Sequence, residues 1–498
     1  MSSDDRDDAN DQSRGGQSGR TTRRRFLETT AAGAIGLVVG CGGGVDGADG
    51  GAGLDGARAD DAGGPDGAPP DAGPADAGVV RPVVPPDDTP EVASFGIGVS
   101  SGDVTPRAAI VAARYDGLAP LAVAAWEMDG ERYVRQFGEF EVAPADGGFV
   151  HYELTGLSAG RHYRYAFFEM EGTTRVGRSA IGAFRAAIAP DSTERLTVGA
   201  VSCTSNTRAK TTLERAGERS DIALFLLLGD TTYNDGASTL AQYRAKWAES
   251  LSSPGWLATR RSTSVLATWD DHEVDNDYNP EGADLSNPTR TFFEHLPLRR
   301  DAAAPDRLWK SMRWGRTVEF FVLDCRSERL PSTRGTTDQY ISRAQMDWLK
   351  GALMASPCVF KLIANSVPIS DFPTAFDLPS FQRDRWEGYP RQREEILRFI
   401  DDNAINGVLW ISGDFHFASI GKVARSGVGA NQTEVLAGPG AQSGNVAGLS
   451  LPREQFPWSS TTNNYTSFEL IPSERRIRVY WHDGGGSVIH TAEVDYPA

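Results

Sequence analysis

The chain has 498 residues, 40% of them hydrophobic and 23% charged, which is enough to bury a large core and too long for one compact unit. A formal net charge of −17 argues against nucleic acid as a partner, because a phosphate backbone selects a basic surface. Beyond the N-terminus no apolar run reaches the ~18 residues needed to span a bilayer, which excludes a multi-pass membrane protein.

In chain order, Thr22-Arg23-Arg24-Arg25-Phe26-Leu27 resembles a twin-arginine export signal. The apolar stretch 31–39 that follows is too short to cross a membrane. It runs into Leu37-Val38-Val39-Gly40-Cys41, which resembles a bacterial lipobox. Residues 1–41 are therefore expected to be a signal, with Cys41 lipidated as the mature N-terminus. That lipid is the only expected membrane contact of a periplasmic or cell-surface protein exported by the twin-arginine route. Residues 42–90 carry ten Asp against Arg58 and Arg81, a net −8, in a Gly, Ala and Pro background without periodicity. Such a segment buries too little apolar surface to offset its ordering entropy and is expected to be a disordered tether.

Over 91–190, short alternating runs at 108–115, 121–127, 140–143 and 149–154 are separated by Asp-Gly and Gly-Gly turn signals and predict a small all-β domain. The stretch Leu154-Thr155-Gly156-Leu157-Ser158-Ala159-Gly160-Arg161-His162-Tyr163-Arg164-Tyr165 looks like the corner before a late strand of a fibronectin-type sandwich, where a tyrosine hydroxyl bonds back to main chain. His151 and His162 are expected at its surface.

Over 191–498, strands alternate with helices. Apolar runs at 196–203, 223–230, 264–271, 317–324, 359–366 and 408–414 all end in polar residues. Ser342 and Gln345 match a capping box ahead of the stripe Trp348, Leu349, Ala352 and Leu353. Ile396, Leu397 and Ile400 mark another helix, ended by Gly407. Runs at 465–470, 476–481 and 488–494 predict a closing meander. Near-continuous apolar strands imply a sheet covered on both faces, hence an α/β class with a layered β-sheet core flanked by helices. Ligands in such folds sit beyond strand C-termini, so the polar ends are predicted to converge.

Those ends supply Cys203; Asp230 and Tyr233; Asp270, Asp271 and His272; Asn365; and Asp414 with His416. Only seven His occur in the chain, so an imidazole-rich dizinc centre is not expected. Carboxylates suit Ca²⁺, Mg²⁺ or Mn²⁺, whereas a phenolate and a thiolate suit Fe³⁺, and the mixture implies mixed metals. By position alone Cys203 reads first as a buried structural thiol, and only Val201-Ser202-Cys203 standing ahead of Gly229-Asp230-Thr231-Thr232-Tyr233 turns the reading to a ligand. Cys325 and Cys358 are expected in the core, and His295, His482 and His490 in structural roles.

Gly229-Asp230-Thr231-Thr232-Tyr233, Trp269-Asp270-Asp271-His272-Glu273 and Gly413-Asp414-Phe415-His416, in this order, resemble the PhoD-type alkaline phosphatases of the metallophosphoesterase superfamily. Tyr243-Arg244, Phe293-Glu294-His295-Leu296-Pro297-Leu298-Arg299, Leu323-Asp324-Cys325-Arg326-Ser327-Glu328-Arg329 and Trp386-Glu387-Gly388-Tyr389-Pro390 support it. The resemblance runs from about residue 93 to the C-terminus and implies a metallophosphoesterase-type core at 191–498, preceded by a fibronectin-like domain at 91–190. It further implies that Asp230 bridges two metals, with Cys203, Tyr233 and His416 completing a ferric site. Asp271, Asn365 and Asp414 would face Ca²⁺, with Asp270 as a ligand or behind the ligands.

His272 is the implied catalytic group, protonating the leaving oxygen, and a nearby carboxylate, Glu273 or Asp275, is expected to keep it charged. Its alternatives are a metal ligand or a structural helix-start residue. Arg208, Arg326 and Arg329 are candidates for phosphate contact, although surface salt bridges are the commoner role of arginine, and they stand outside the assigned site. The expected reaction is hydrolysis of small-molecule phosphate esters by metal-activated water. Three other readings stand beside it: a diesterase for wall polymers or phospholipid headgroups, an iron-dependent peroxidase, and a non-catalytic surface lipoprotein that keeps the fold. Residues 437–463 match nothing in the family pattern.

Overall fold

The computed structural model describes residues 83–372 and 384–497. The signal at 1–41 and most of the tether lie outside the described residues. The last part of the tether, 83–90, is a correction. It lies against the all-β region, where Trp126 Nε1 donates to the Val84 carbonyl at 3.1 Å, Arg175 donates to it at 3.3 Å, and Thr89 is buried. Composition concealed this because a Pro-rich extended chain docks through its carbonyls and shows no apolar period.

Strands Leu121–Asp129, Arg132–Val142, His162–Glu171, Thr174–Arg178 and Gly182–Arg185 form a five-stranded sheet. Its Val123, Ala125, Tyr165 and Phe167 share a core with Ala109, Val111, Val150 and Leu154 from Ala108–Arg114 and Phe149–Thr155. The Tyr163 hydroxyl accepts from the Ser158 N–H at 2.7 Å, the bond expected of the corner.

The second layer of this sandwich does not stop at residue 190. Val99–Gly102 pairs antiparallel with Ala108–Arg114 on one side and parallel with Ser264–Thr268 on the other. A nine-stranded sheet results, continuing through Ile222–Leu228, Leu196–Val201 and the closing meander Asn464–Ile471, Arg476–Asp483 and Val488–Asp495. Arg260, fully buried, reinforces the seam by donating to the Ile97 carbonyl at 2.8 Å and Ser100 Oγ at 3.2 Å.

A seven-stranded sheet faces this one, with Val318–Val322, Phe360–Ala364 and Val408–Ser412 parallel at its centre. Along Ile222–Leu228 every residue is buried, and the sides alternate as a strand requires. Leu224, Leu226 and Leu228 join Phe320, Val322, Leu362 and Ile411 between the sheets, while Phe225 and Leu227 meet Trp247, Trp256 and Phe292. The latter come from the helices Leu240–Leu251, Pro254–Ser262 and Ser286–His295. The far face of the second sheet packs Ile363 and Trp410 against Met346, Leu349, Ile396 and Leu397 of Arg343–Ala355 and Pro390–Asp402. Both expected helices are present, with two corrections. Ser342 Oγ accepts from Gln345 N at 3.1 Å, but the Gln345 side chain bonds the Asp324 main chain and does not return to the cap. The second helix ends at Asp402 with Asn403 as its cap, before Gly407.

His482 stacks on Tyr465 at 4.6 Å and His490 on Trp458 at 4.4 Å, while His151 and His162 are exposed. His295 is buried between Trp247 and Phe149, its Nδ1 2.8 Å from the Thr291 carbonyl. Burial drives its pKa down to about 3, so it stays neutral. Below the ordinary value of 6.5 the unfolded chain takes up a proton that the folded chain refuses, and stability falls until the pH reaches the folded value. Denaturant midpoints measured from pH 7 to pH 4 should therefore show His295→Phe sparing roughly 3 kcal/mol of the acid loss suffered by the parent chain.

Candidate metal centre

Five of the six polar strand ends lead to the same place; Asp324, at the end of 317–324, instead accepts from Trp269 Nε1 at 3.0 Å and Arg326 N at 3.1 Å. Ser202 and Cys203 follow Leu196–Val201; Asp230 and Tyr233 follow Ile222–Leu228; Asp270, Asp271 and His272 follow Ser264–Thr268; Asn365 follows Phe360–Ala364; Asp414 and His416 follow Val408–Ser412. Convergence demands loops in close contact, which explains both Gly-Asp motifs. A Cβ on Gly229 would lie 2.4 Å from Asp270 Cβ, and one on Gly413 would lie 1.9 Å from Ser202 Oγ. Among the described residues nine non-glycine positions have left-handed φ, and Cys203, Asp230, Asp414 and His416 are four of them. Each such conformation costs on the order of 1–3 kcal/mol, so strain is concentrated where the donors are aimed.

Three groups of donor atoms lie within 4.8 Å of one another: Cys203, Asp230 and His416; Asp230, Asp271 and His272; and Asp270, Asp271 and Asp414. Asp230 and Asp271 each belong to two groups. The Tyr233 hydroxyl donates to Asp230 Oδ2 at 3.0 Å and lies 3.4 Å from His416 Nε2, which adds the phenol to the first group. Asn365 is buried at its strand end. Its amide oxygen accepts from Cys325 Sγ at 2.8 Å and Trp386 Nε1 at 3.2 Å, leaving the nitrogen as its unpartnered atom among the described residues.

The supports were only partly foreseen. His272 is held by Asp235, whose two oxygens lie 2.8 and 2.9 Å from Nδ1, and Asn276 N donates to the same carboxylate at 2.8 Å. Neither Glu273 nor Asp275 takes the expected part. Glu273 is buried and accepts from the N–H groups of Asp230, Thr231 and Asp270 at 3.0, 2.6 and 2.8 Å, tying the two loops together. Asp275 accepts from Gly236 N at 2.9 Å. The motif around Asp230 gave no sign of Asp235, because loop curvature alone returns it to His272.

Arg326 and Arg329 are buried, not poised for substrate. The Arg326 guanidinium bonds Asp270 directly and lies 3.1 Å from both Asp384 and Asp414. Arg329 donates to the Tyr278 and Asp384 carbonyls at 2.7 and 2.8 Å. Arg208 is exposed and donates to Ser443 Oγ at 2.6 Å. Residues 437–463 close this side of the site. Ala441 N donates to the Cys203 carbonyl at 3.1 Å and Asn445 N to the His416 carbonyl at 2.9 Å.

Burial, then neighbouring negative charge, raises Cys203 and Tyr233 well above their ordinary values; Asp414 rises for the same reasons, and so does Asp230 against the pull of His272. Burial lowers His416 to about 4, keeping the imidazole neutral as a metal ligand must be. Burial also works against a charge on His272, but Asp230, Asp235 and Asp271 prevail and lift it to about 10. Arg326 compensates the acids on the Asp270 and Asp414 side, whereas among the described residues no Lys or Arg pairs with Asp230. Asp230 Oδ1 and Asp270 Oδ2 are buried without a hydrogen-bond partner among these residues. Orphaned carboxylate oxygens beside a thiol, a phenol and a neutral imidazole form a donor set that fits metal cations.

The family model described as PhoD-like phosphatase matches residues 198–469, and the model of its N-terminal domain matches 82–187. Alkaline phosphatase D of Bacillus subtilis (strain 168) is 25% identical over 379 residues, covering 65% of this chain and 64% of that protein. The chain thus spans just under two thirds of the length of that relative. A solved structure of PhoD superposes with a TM-score of 0.69 at 20% identity, over 81% of this chain and 90% of the other. Purple acid phosphatase PPD1 from yellow lupin (Lupinus luteus) seeds superposes at 0.56 and 14% identity, over 80% and 73%. These likenesses support the layered metallophosphoesterase core as a fold. With the first model matched over more than half of its length, and across the loops that gather the donors, the chain belongs to the PhoD-like phosphatase family.

Proposed function

We propose that the chain is an exported, metal-dependent phosphoesterase acting on small-molecule phosphate esters. The observation that carries this reading is the sharing of Asp230 and Asp271 between adjoining donor groups beside one fixed imidazole. Cys203, Asp230, Tyr233 and His416 would hold Fe³⁺. Asp230, Asp271 and Asp414, with Asp270 and an Asn365 amide turned to present its oxygen, would hold Ca²⁺. When bound, the cations supply Lewis acidity, which makes water a nucleophile near neutral pH and offsets phosphoryl charge.

The side chains divide the remaining work. Asp235 occupies His272 Nδ1, and Nε2 has no hydrogen-bond partner among the described residues, so the imidazolium can pass its proton to the departing alkoxide. Glu273 and Arg326 fix the loops, so the donors need little reorganisation in the transition state. The signal motifs at 22–27 and 37–41 support twin-arginine export and lipidation of Cys41.

Purified protein should hydrolyse a chromogenic phosphate ester and contain both iron and calcium. Failure of wild-type turnover with both metals present would overturn the proposal. Tyr233→Phe should abolish the visible phenolate-to-iron absorption band, and Cys203→Ser should lower iron content; an unchanged band and unchanged iron would remove both from the ligand set. His272→Asn should reduce kcat by about 10²- to 10⁴-fold with metal content retained, and Asp235→Asn by a smaller factor. In cells, Cys41→Ala should move the protein from the membrane fraction to the soluble exported fraction, as seen by fractionation.

A further inference from the structure

Of the arginines near the centre, Arg326 and Arg329 are buried and bonded to protein oxygens. Lys210 is also engaged, its Nζ donating to the carbonyls of Ser205, Asn206 and Arg208 at 2.8, 3.3 and 3.4 Å. That ammonium folds the loop after Cys203 into a compact turn. Asn206 docks the turn on the centre, giving its Nδ2 to the Tyr233 carbonyl at 3.1 Å and taking the Tyr233 N–H at 2.9 Å. Arg208 projects from this turn as an exposed side chain.

Its direction is set from the other side. Arg208 donates to Ser443 Oγ at 2.6 Å, the one side-chain hydrogen bond it makes among the described residues. Ser443 lies between Ala441, whose N–H donates to the Cys203 carbonyl at 3.1 Å, and Asn445, whose N–H donates to the His416 carbonyl at 2.9 Å. The guanidinium is therefore tethered to the loop that lies against Cys203 and His416, with most of its five donors unused among the described residues.

We infer that Arg208, oriented by Ser443, binds the peripheral non-bridging oxygens of the substrate phosphate and biases the site toward monoester dianions over diesters. The inference rests on the phosphoesterase reading. In a monoester the oxygens outside the donor cluster carry charge that a planar guanidinium can pair with two at a time. In a diester one of them is esterified, uncharged and substituted, so the same guanidinium gains less and meets the second alcohol.

The test uses the metal-loaded full chain with a monoester and a diester of one leaving group, the diester serving as a competitive inhibitor if its turnover is slow. Arg208→Ala should lower kcat/KM for the monoester by about 10- to 100-fold and change the diester less than about threefold, at unchanged thermal midpoint. Arg208→Lys should recover part of the monoester rate, and Ser443→Ala should lose part of it. Equal losses on both esters, or no loss on either, overturn the inference. Inorganic phosphate binding, measured by calorimetry, separates it from the parent reading. A protein that turns over nothing but binds phosphate more weakly as Arg208→Ala sinks the hydrolytic reading alone, and unchanged phosphate affinity sinks the role of Arg208.

Discussion

Four aspartates, a thiol and a phenol lie close together at one end of two sheets, and negative charge cannot gather there unless positive charge gathers with it. Asp230, Asp270 and Asp414 are all driven up by burial and, beyond it, by the neighbouring Asp271 carboxylate. The fold answers with restraint before compensation. Glu273 locks the Asp230 loop to the Asp270 loop, Lys210 locks the turn after Cys203, and left-handed backbone at four donors shows that the loops hold positions they would not choose. Arg326 offsets only the Asp270 side. On the other side Asp230 keeps a buried oxygen without a hydrogen-bond partner among the described residues, beside a thiol and a phenol, a donor set that fits a cation.

Much of this was legible because strand chemistry is local. Ile222–Leu228 and its parallel neighbours show their burial as unbroken apolar runs, and the polar residue after each run marks where the strand leaves the core. The glycines of the two Gly-Asp motifs were legible for a similarly local reason, since only a missing Cβ lets adjacent loops touch at Asp270 and Ser202.

What escaped the sequence depends on how loops curve. Glu273, next in sequence to His272, points the other way and serves main-chain N–H groups, whereas Asp235, 37 residues off, closes on the imidazole. Gln345 satisfies the spacing of a capping box yet spends its amide on Asp324, because tertiary donors and acceptors compete with local ones. The segment 437–463 has no periodicity to betray it. It is placed by main-chain bonds to Cys203 and His416, and such bonds leave no trace in side-chain identity. Docking of 83–90 through carbonyls was hidden in the same way.

The parallel pairing of Val99–Gly102 with Ser264–Thr268 means that the front sandwich is not an appendage. Cutting the chain near residue 190 would strip a neighbour from the strand that delivers Asp270, Asp271 and His272, leaving its amide groups bare along a sheet margin where another molecule could add. The same cut would strand the Arg260 guanidinium without the Ile97 carbonyl and Ser100 hydroxyl it now meets. In this architecture the leading strands act as a hem for the nine-stranded sheet, so gene fragments that begin near residue 190 should yield insoluble material.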